Sequence, residues 1–265
     1  MVRNIVITLA VLFSAVLSAA ATLNKRIIGG EAVKDGEFPF IVTIIHSDYG
    51  PICGGSLLDN TTVLTAGHCI TLTSKGWHVR AGTLNRTTSG QVIAAKPILY
   101  PRFSRPRRNG QPRHDIAILK LSTPFQESGT MYYPTLPDAG SDPVVNSHAI
   151  VAGWGLTGQP YNPLDPLKKA NIPIHSRKRC SNQRWNATGI EDEFCAGGDG
   201  KDACNGDSGG PLIDEETGHI IGIPVVSSWL TECGEYPGIY TRVSSYIDWI
   251  QENLGVSQTT SSVKS

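Results

Sequence analysis

Asn205-Gly206-Asp207-Ser208-Gly209-Gly210-Pro211 is the stretch of this 265-residue sequence that most strongly indicates a chemical function. It places one serine among glycines, with a carboxylate directly before the serine. A serine hydroxyl is a poor nucleophile until a neighbouring base takes its proton. Glycines carry no Cβ, so a reacting carbonyl can approach the backbone closely. Ser208 is therefore a candidate nucleophile, and a base and a residue that orients the base must lie elsewhere in the chain.

His68 and Asp115 are the candidate partners of Ser208. His68 lies in Thr65-Ala66-Gly67-His68-Cys69, and the near-neutral pKa of histidine suits a general base. A histidine beside a cysteine is also a candidate metal ligand, but the paired spacing of a zinc site is missing. Asp115 precedes the apolar run Ile116–Leu121, where an unpaired buried carboxylate would be unfavourable. It is either a turn residue at a strand start or the residue that holds the imidazole.

The N-terminus predicts export from the cell. Arg3 is followed by the apolar run Ile5–Leu17 and by small residues from Ser18 to Ala21. This run is too short for a transmembrane helix, which needs about 20 apolar residues. It predicts a signal peptide over residues 1–21, with a buried core helix as the alternative. We therefore expect a secreted, extracellular protein with no membrane span.

Charge and cysteine content narrow the class of protein. The chain has 23 basic and 23 acidic residues, a balance that gives no electrostatic support for nucleic-acid binding. Removing residues 1–26 takes away three basic residues and no acidic one, so the mature chain is mildly acidic. Six cysteines in an exported chain predict three disulfides, with the pairing left open. Asn60, Asn85 and Asn186 begin Asn-X-Thr sequons, which are either glycosylation sites or chance tripeptides.

Short apolar or alternating runs, broken by Gly, Pro, Asn and Asp, fill the chain after Phe38. Runs of this length and spacing predict an all-β sandwich or barrel. The clearest runs are Phe40–Ile45, Val63–Ala66, Val92–Leu99, Ile116–Leu121, Ala149–Trp154 and Ile220–Val226.

Further segments predict a link between two halves of the chain and the structure of its C-terminus. The polar stretch Ser122–Asn146 separates two strand-rich halves and predicts a connection between two barrels. Ile247, Ile250 and Leu254 recur at helical spacing, which predicts a C-terminal helix capped by Ser244 or Ser245. The Ser/Thr-rich residues 256–265 predict a disordered tail.

The order His68, Asp115, Ser208 matches the chymotrypsin order of the catalytic triad. From Ile27 to about Leu254 the chain resembles the trypsin-like family of chymotrypsin-fold serine proteases. Segments that carry the resemblance, besides those of the triad, are Ile27–Gly30, Cys53–Leu57, Gly153–Gly155, Phe194–Gly197, Ser228-Trp229 and Pro237–Tyr240. Arg80–Gly90 and Phe38–Val42 look most similar to secreted fungal trypsins. The resemblance implies a peptidase domain over residues 27–255, built as two six-stranded antiparallel β-barrels with the active site between them and a C-terminal α-helix.

The resemblance also implies a role for each catalytic residue. Ser208 attacks the peptide carbonyl, His68 takes its proton and returns it to the leaving amine, and Asp115 orients the imidazole. The backbone N–H groups of Gly206 and Ser208 form the oxyanion hole. The Ser228 hydroxyl helps to hold Asp115.

Activation and disulfide pairing are implied in the same way. Lys25-Arg26 stands directly before Ile27, which implies cleavage between Arg26 and Ile27, with residues 22–26 as the propeptide. The freed ammonium of Ile27 then pairs with Asp207. A plain linker is the alternative for the dibasic pair. The family's disulfides correspond to Cys53–Cys69, Cys180–Cys195 and Cys204–Cys233.

Asp202 corresponds to the floor of the primary specificity pocket, where a carboxylate pairs with Arg or Lys of the substrate. The alternative is a surface turn aspartate. Ala203, which replaces the serine common in trypsins, implies a preference for Arg over Lys. Leu230 and Glu232 stand where trypsins usually have glycine, so an elastase-like pocket is a second possibility for specificity. The remaining substrate-binding residues are Ser228, Trp229 and Gly238.

The expected partners are protein or peptide substrates and proteinaceous protease inhibitors, and the expected state is a monomer without a cofactor. The stretch Ala81–Gln91, at the place of the family's calcium loop, has no acidic ligands, so no metal is expected. The basic stretch Arg102–Arg113 predicts a solvated loop, with an anionic partner or an autolysis site as alternatives. A non-catalytic binding protein on the same fold is the competing class, and the complete triad argues against it.

Overall fold

The computed structural model describes residues 30–72, 76–104, 112–127, 129, 131–156, 166–181, 191–225 and 233–254. These residues form two antiparallel β-barrels of six strands each and a short C-terminal helix, as the sequence predicts. Among the helices of the described ranges, none has the length and apolar content needed to cross a membrane.

The first barrel follows a two-residue strand, β1 (Glu31–Ala32). Its strands are β2 (Ile41–His46), β3 (Gly50–Asp59), β4 (Thr62–Thr65), β5 (Trp77–Ala81), β6 (Gln91–Leu99) and β7 (Ala117–Leu121). They are hydrogen-bonded in the order β2-β3-β4-β7-β6-β5, and pairing of β5 with β2 closes the barrel. Closure leaves none of the six described strands of this barrel with a free edge.

The second barrel is built from β8 (His148–Gly153), β9 (Lys168–His175), β10 (Glu193–Ala196), β11 (Leu212–Asp214), β12 (Ile220–Val225) and β13 (Gly238–Arg242). The order β9-β10-β13-β12-β11-β8 is closed by pairing of β8 with β9, and β1 adds to the outside of β9. A short helix, α1 (Arg177–Ser181), follows β9 and has no counterpart among the sequence predictions.

Side chains of β5 and β9 alternate between the barrel interior and the outside, whereas β4, β10 and β12 are buried along their whole length. In β5 the buried residues are Trp77, Val79 and Ala81, and the two between them are partly exposed. The same period of two, expected of strands with one face on a core, buries alternate residues of β9. Each barrel therefore has a mainly apolar interior, and the polar side chains of β5 and most of those of β9 lie on the outer face.

The connection between the barrels is where the sequence predicts it. Strand β7 ends at Leu121 and β8 begins at His148, and the described residues between them form neither helix nor strand. Backbone hydrogen bonds attach this segment to both barrels, because Phe125 N–H donates to Asn60 and Ile220 N–H donates to Thr135. The connection thus runs along the two barrels and fixes them side by side.

The C-terminal helix begins differently from the prediction. A 3₁₀ helix, Val243–Tyr246, precedes α2 (Ile247–Glu252), and no side chain caps either element. The predicted caps are wrong because both serines lie within the 3₁₀ turn. The Ser244 hydroxyl donates to the Ser141 carbonyl, and Ser245 Oγ accepts a hydrogen bond from Arg242.

Candidate active site

Partly exposed His68 and buried Asp115 form a pair at one end of the first barrel. His68 lies in a 3₁₀ helix, Gly67–Ile70, after β4, and Asp115 lies just before β7. The two meet because β4 and β7 are neighbours, with Thr65 opposite Ala117. His68 Nδ1 lies 2.6 Å from Asp115 Oδ2, and the His68 backbone N–H donates to Oδ1 at 2.7 Å.

These contacts fix the tautomer of the imidazole. An ionised carboxylate only accepts hydrogen bonds, so His68 Nδ1 carries a proton and donates it to Asp115. Nε2 then has the lone pair that a general base needs. Asp115, whose side chain is fully buried, is also held through its backbone, because the Thr241 hydroxyl donates to its carbonyl oxygen at 3.0 Å. A strand of the second barrel therefore supports this pair of the first barrel.

Ser208 belongs to the second barrel and touches the first through its backbone. The Gly54 N–H in β3 donates to the carbonyl oxygen of Ser208 at 2.8 Å. A Cβ at Gly209 would lie only 2.3 Å from Oγ1 of Thr65, the last residue of β4. Glycine after the serine therefore allows close contact with the strand that leads into His68. The predicted nucleophile and base thus come from loops that pack against each other where the two barrels meet.

All three predicted disulfides are present: Cys53–Cys69, Cys180–Cys195 and Cys204–Cys233. The first joins the residue after His68 to the residue before Gly54, so it connects the loop that carries His68 with the strand that bonds to Ser208. Within the part of the chain that the structure describes, Cys53, His68 and Cys69 are the one cluster of possible metal ligands. Both of its sulfurs are in the disulfide, and a metal site would require thiolates.

Asp202 and Ser208 line the same cavity. The lining residues are Asp202–Asn205, Ser208, Pro224, Val225 and Gly238–Tyr240. Asp202 is 1% exposed, and its Oδ1 accepts hydrogen bonds from Tyr240 Oη at 2.8 Å and from Ala203 N–H at 2.7 Å. A Cβ at Gly238 would lie 2.8 Å from both carboxylate oxygens, so glycine keeps the approach to Asp202 open. The predicted pocket residues Asp202, Ala203 and Gly238 therefore surround one cavity.

Burial dominates the electrostatics of Asp202. Desolvation raises its pKa to about 7, although hydrogen bonds from Tyr240, Ala203 and Gly238 act in the opposite direction. The donors that face it in the described chain are a hydroxyl and backbone amides, none of them a cation. An ionised Asp202 is therefore a buried anion that a cationic ligand would stabilise strongly.

Asp207 is the second buried carboxylate of this loop and is fully shielded from solvent. Its two oxygens accept backbone N–H bonds from Gly155 at 2.7 Å and from Cys204 at 2.9 Å. Burial raises its pKa to about 6, against the effect of these hydrogen bonds and of the nearby Arg86 guanidinium. A further cation close to Asp207 would therefore stabilise its ionised form.

Several predicted residues lie outside the described ranges. They are Arg26 and Ile27 of the activation site, Ser228, Trp229, Leu230 and Glu232 of the pocket, and the sequon at Asn186. The other two sequons are described: Asn60 is exposed at a turn, and Asn85 is partly buried.

Two contacts of the site were missing from the sequence predictions. Tyr240 binds Asp202, and Thr241 binds Asp115, from adjacent positions of β13. Adjacent strand residues point to opposite faces, so one strand contacts both Asp202 of the cavity and Asp115, the partner of His68. The segment Pro237–Tyr240 already resembles the family, but the sequence alone gives no sign that the hydroxyls of this strand are donors to the two aspartates.

Glu193 is a buried acid that the sequence predictions also missed. It is 5% exposed at the start of β10, directly opposite Thr241 of β13, and its Oε2 has no hydrogen-bond partner in the described structure. Burial raises its pKa to about 7, with a further contribution from the negative charges of Asp192 and Asp115 and an opposing one from Arg113. Glu193 therefore destabilises the fold when it ionises.

We expect Glu193→Gln to stabilise the fold at pH 8 but not at pH 4. The folded-state pKa of Glu193 lies above that of an exposed glutamate, so the folded protein loses stability as pH rises from about 4.5 to 7. Removing the charge should restore roughly 3 kcal/mol of unfolding free energy at pH 8. Urea unfolding at both pH values, in a Ser208→Ala background that prevents self-digestion, measures the difference. Equal stabilisation at both pH values would contradict the assignment.

Comparison with known proteins assigns the chain to a family. The family model described as Trypsin matches residues 27–250. The chain is 34% identical to Trypsin 5G1 of Aedes aegypti over 239 residues, which cover 88% of this chain and 86% of that protein. It is 33% identical to Trypsin Blo t 3 of Blomia tropicalis, with 85% of each chain covered. Ovochymase of Halocynthia roretzi is also 33% identical and covers 95% of this chain, which spans 16% of ovochymase. The chain therefore belongs to the trypsin family and is a trypsin-like serine endopeptidase of the chymotrypsin fold.

Proposed function

We propose that this protein is a secreted endopeptidase that hydrolyses peptide bonds after Arg and Lys, with Arg preferred. The observation that carries the proposal is Asp202, a buried carboxylate without a cationic partner in the described chain, in the same cavity as Ser208. A guanidinium that enters the cavity would supply the missing charge. A neutral side chain would leave the carboxylate desolvated and unpaired, which disfavours such substrates strongly.

The preference for Arg follows from what surrounds Asp202. Ala203 offers its backbone N–H to the carboxylate but no hydroxyl that could coordinate an ammonium. The planar fork of arginine can bind a carboxylate directly through two hydrogen bonds, whereas lysine is a point charge that relies on additional oxygens. Profiling cleavage of a peptide library with the activated protein tests the proposal. Preference for alanine or valine at the cleaved position would instead indicate an elastase-like pocket.

In the proposed mechanism, Ser208 attacks the substrate carbonyl while His68 Nε2 accepts the hydroxyl proton. The imidazolium that results is stabilised by Asp115, which already accepts a hydrogen bond from Nδ1 at 2.6 Å. The N–H groups of Gly206 and Ser208 bind the oxyanion. His68 then returns the proton to the leaving amine, and water repeats the sequence to release the acyl group.

Asp207 is proposed to be the activation switch. Cleavage between Arg26 and Ile27 would free an α-ammonium, and an ion pair with buried Asp207 would fix the neighbouring Gly206. Burial raises the pKa of Asp207 to about 6, so its ionised form is desolvated. An ammonium partner would stabilise that form and lower the pKa.

We expect the full chain to have at most about 1% of the turnover of a chain that begins at Ile27, because one buried ion pair is worth several kcal/mol. The measurement is hydrolysis of an arginyl amide before and after cleavage at Arg26. Asp207→Asn should remain inactive after cleavage, while Asp214→Asn, at the partly exposed aspartate that ends β11, should be activated normally. Full activity of the uncleaved chain would contradict the switch.

Secretion and modification complete the proposal. The three disulfides are consistent with an oxidising compartment. Exposed Asn60 is the described sequon best placed to carry a glycan, since Asn85 is partly buried and its side chain is fixed by hydrogen bonds from Thr87 and Thr88. Proteinaceous inhibitors that present an arginine to Asp202 are the expected regulators. The glycan assignment is tested by treating the wild type and Asn60→Gln with a deglycosylating enzyme and comparing their electrophoretic mobility before and after treatment. Unchanged mobility in both proteins would exclude the assignment.

A further inference from the structure

Arg86 is a buried arginine that the proposed mechanism does not use. It lies in the loop between β5 and β6 and is 6% exposed. Two backbone N–H bonds to the Asn85 side chain, from Thr87 and Thr88, fix the turn around it. Its Nη2 donates to the Pro51 carbonyl oxygen at 3.1 Å. A guanidinium stays charged at all accessible pH values, so its burial requires negative charge nearby.

The loop that carries Ser208 supplies this negative charge. A Cβ built on Gly206 would lie 3.3 Å from Nη1 of Arg86, which places the guanidinium directly against the Gly206 backbone. The Asp207 carboxylate, one residue further on, is close enough for the Arg86 charge to act on its ionisation. Arg86 thus connects a loop of the first barrel with the turn that offers the Gly206 N–H.

We propose that Arg86 is a positioning residue for catalysis, which holds the Gly206–Asp207 turn and adds positive potential behind the amide that binds the oxyanion. The inference rests on the proposed role of Gly206. Negative charge on the substrate oxygen develops only in the transition state, so a cation fixed beside the donor should raise kcat with little effect on KM. The low dielectric of a buried site makes this interaction stronger than it would be in water.

The test compares Arg86→Lys with Arg86→Gln in the chain activated at Ile27. Both replacements can donate a hydrogen bond to the Pro51 carbonyl, and both keep the Asn-X-Thr sequon, so the pair differs mainly in charge. We expect Gln to lower kcat about tenfold and to leave KM within twofold, since a charge behind a donor contributes less than the donor itself. Lys should keep at least a third of the wild-type kcat.

Two further measurements separate positioning from a general loss of structure. Affinity for a peptidyl aldehyde, which forms an oxyanion on Ser208, should fall about tenfold in Arg86→Gln, while affinity for benzamidine, which probes Asp202 alone, should be unchanged. Arg80→Gln is the matched control, because Arg80 also donates to a loop carbonyl, that of Ser89, from the same hairpin. It should keep wild-type kcat.

The possible results are distinct. Equal kcat for the Gln and Lys variants, or parallel losses of aldehyde and benzamidine binding, would overturn the inference. If Arg86→Gln does not fold, Arg86→Lys decides: a tenfold loss of kcat at an unchanged unfolding temperature overturns it. If the wild type itself shows no turnover that depends on Ser208, the proposed function fails instead, and this outcome is seen before any Arg86 variant is measured.

Discussion

Ser208→Ala is expected to lower kcat on an arginyl amide by about 10⁶ in the chain activated at Ile27, because the nucleophile itself is removed. Asp115→Asn should lower kcat by about 10⁴, the magnitude known for this substitution in the chymotrypsin fold. An amide in place of the carboxylate can donate to Nδ1, which would leave His68 with its proton on Nε2. The measurement is the initial rate at saturating substrate. Benzamidine binding confirms that each variant is folded.

Controls for this prediction come from the same regions of the fold. Ser104→Ala replaces a partly buried serine of the first barrel, and Asp192→Asn replaces an acid that binds His114 and Tyr246 and does not contact His68. Both should stay within a few-fold of wild-type kcat. If Ser208→Ala keeps turnover within tenfold of wild type, the assignment of the nucleophile is wrong.

Asp202→Asn should reduce kcat/KM for an arginyl substrate by about 10³, because it removes one partner of a buried charge pair. Turnover of an alanyl substrate should rise or stay constant, since a neutral pocket no longer penalises an apolar side chain. The control is Asp199→Asn, an exposed aspartate of the adjacent loop that pairs with Arg179 at the surface. Equal losses for both substrates would indicate damage to the triad and would contradict a role in specificity.

The pH dependence of ligand binding provides a second readout of Asp202. Burial raises its pKa to about 7 in the empty pocket, so below pH 7 a cation must displace a proton. We expect benzamidine affinity to fall about tenfold per pH unit below 7 and to level off above it. Calorimetry in two buffers of different ionisation enthalpy would detect the released proton. In Asp202→Asn, the weak residual binding should not depend on pH in this range.

Motifs that determine backbone contacts were predictable from the sequence. Short apolar runs predicted the all-β fold and the connection between two strand-rich halves. The two six-stranded barrels, the three disulfide pairings and the pairing of His68 with Asp115 were implied by the resemblance to the family. Asp202 was predictable because the resemblance fixes its position relative to Ser208. These features depend on local sequence patterns or on motifs that stand in a fixed order along the chain.

Features that depend on tertiary packing could not be predicted. The start of the C-terminal helix is one, because Ser244 and Ser245 are equally good caps in sequence and their actual partners, Ser141 and Arg242, are known only from the fold. The hydroxyl of Thr241 and the unpartnered carboxylate of Glu193 are others. Both lie on the face of the second barrel turned towards Asp115, and nothing in a strand pattern indicates which face meets the other barrel.

The division of the site between the barrels has a consequence for how this protein can diversify. His68 and Asp115 belong to the first barrel, whereas Ser208 shares its barrel with Asp202 and the other residues that line the cavity. Under the proposed function, loops of the second barrel can change in sequence and alter which side chain is accepted, while His68 and Asp115 in the other half stay unchanged. The second half of the gene can therefore vary in the residues that line the cavity, provided that Ser208 and the Gly206–Asp207 turn are kept.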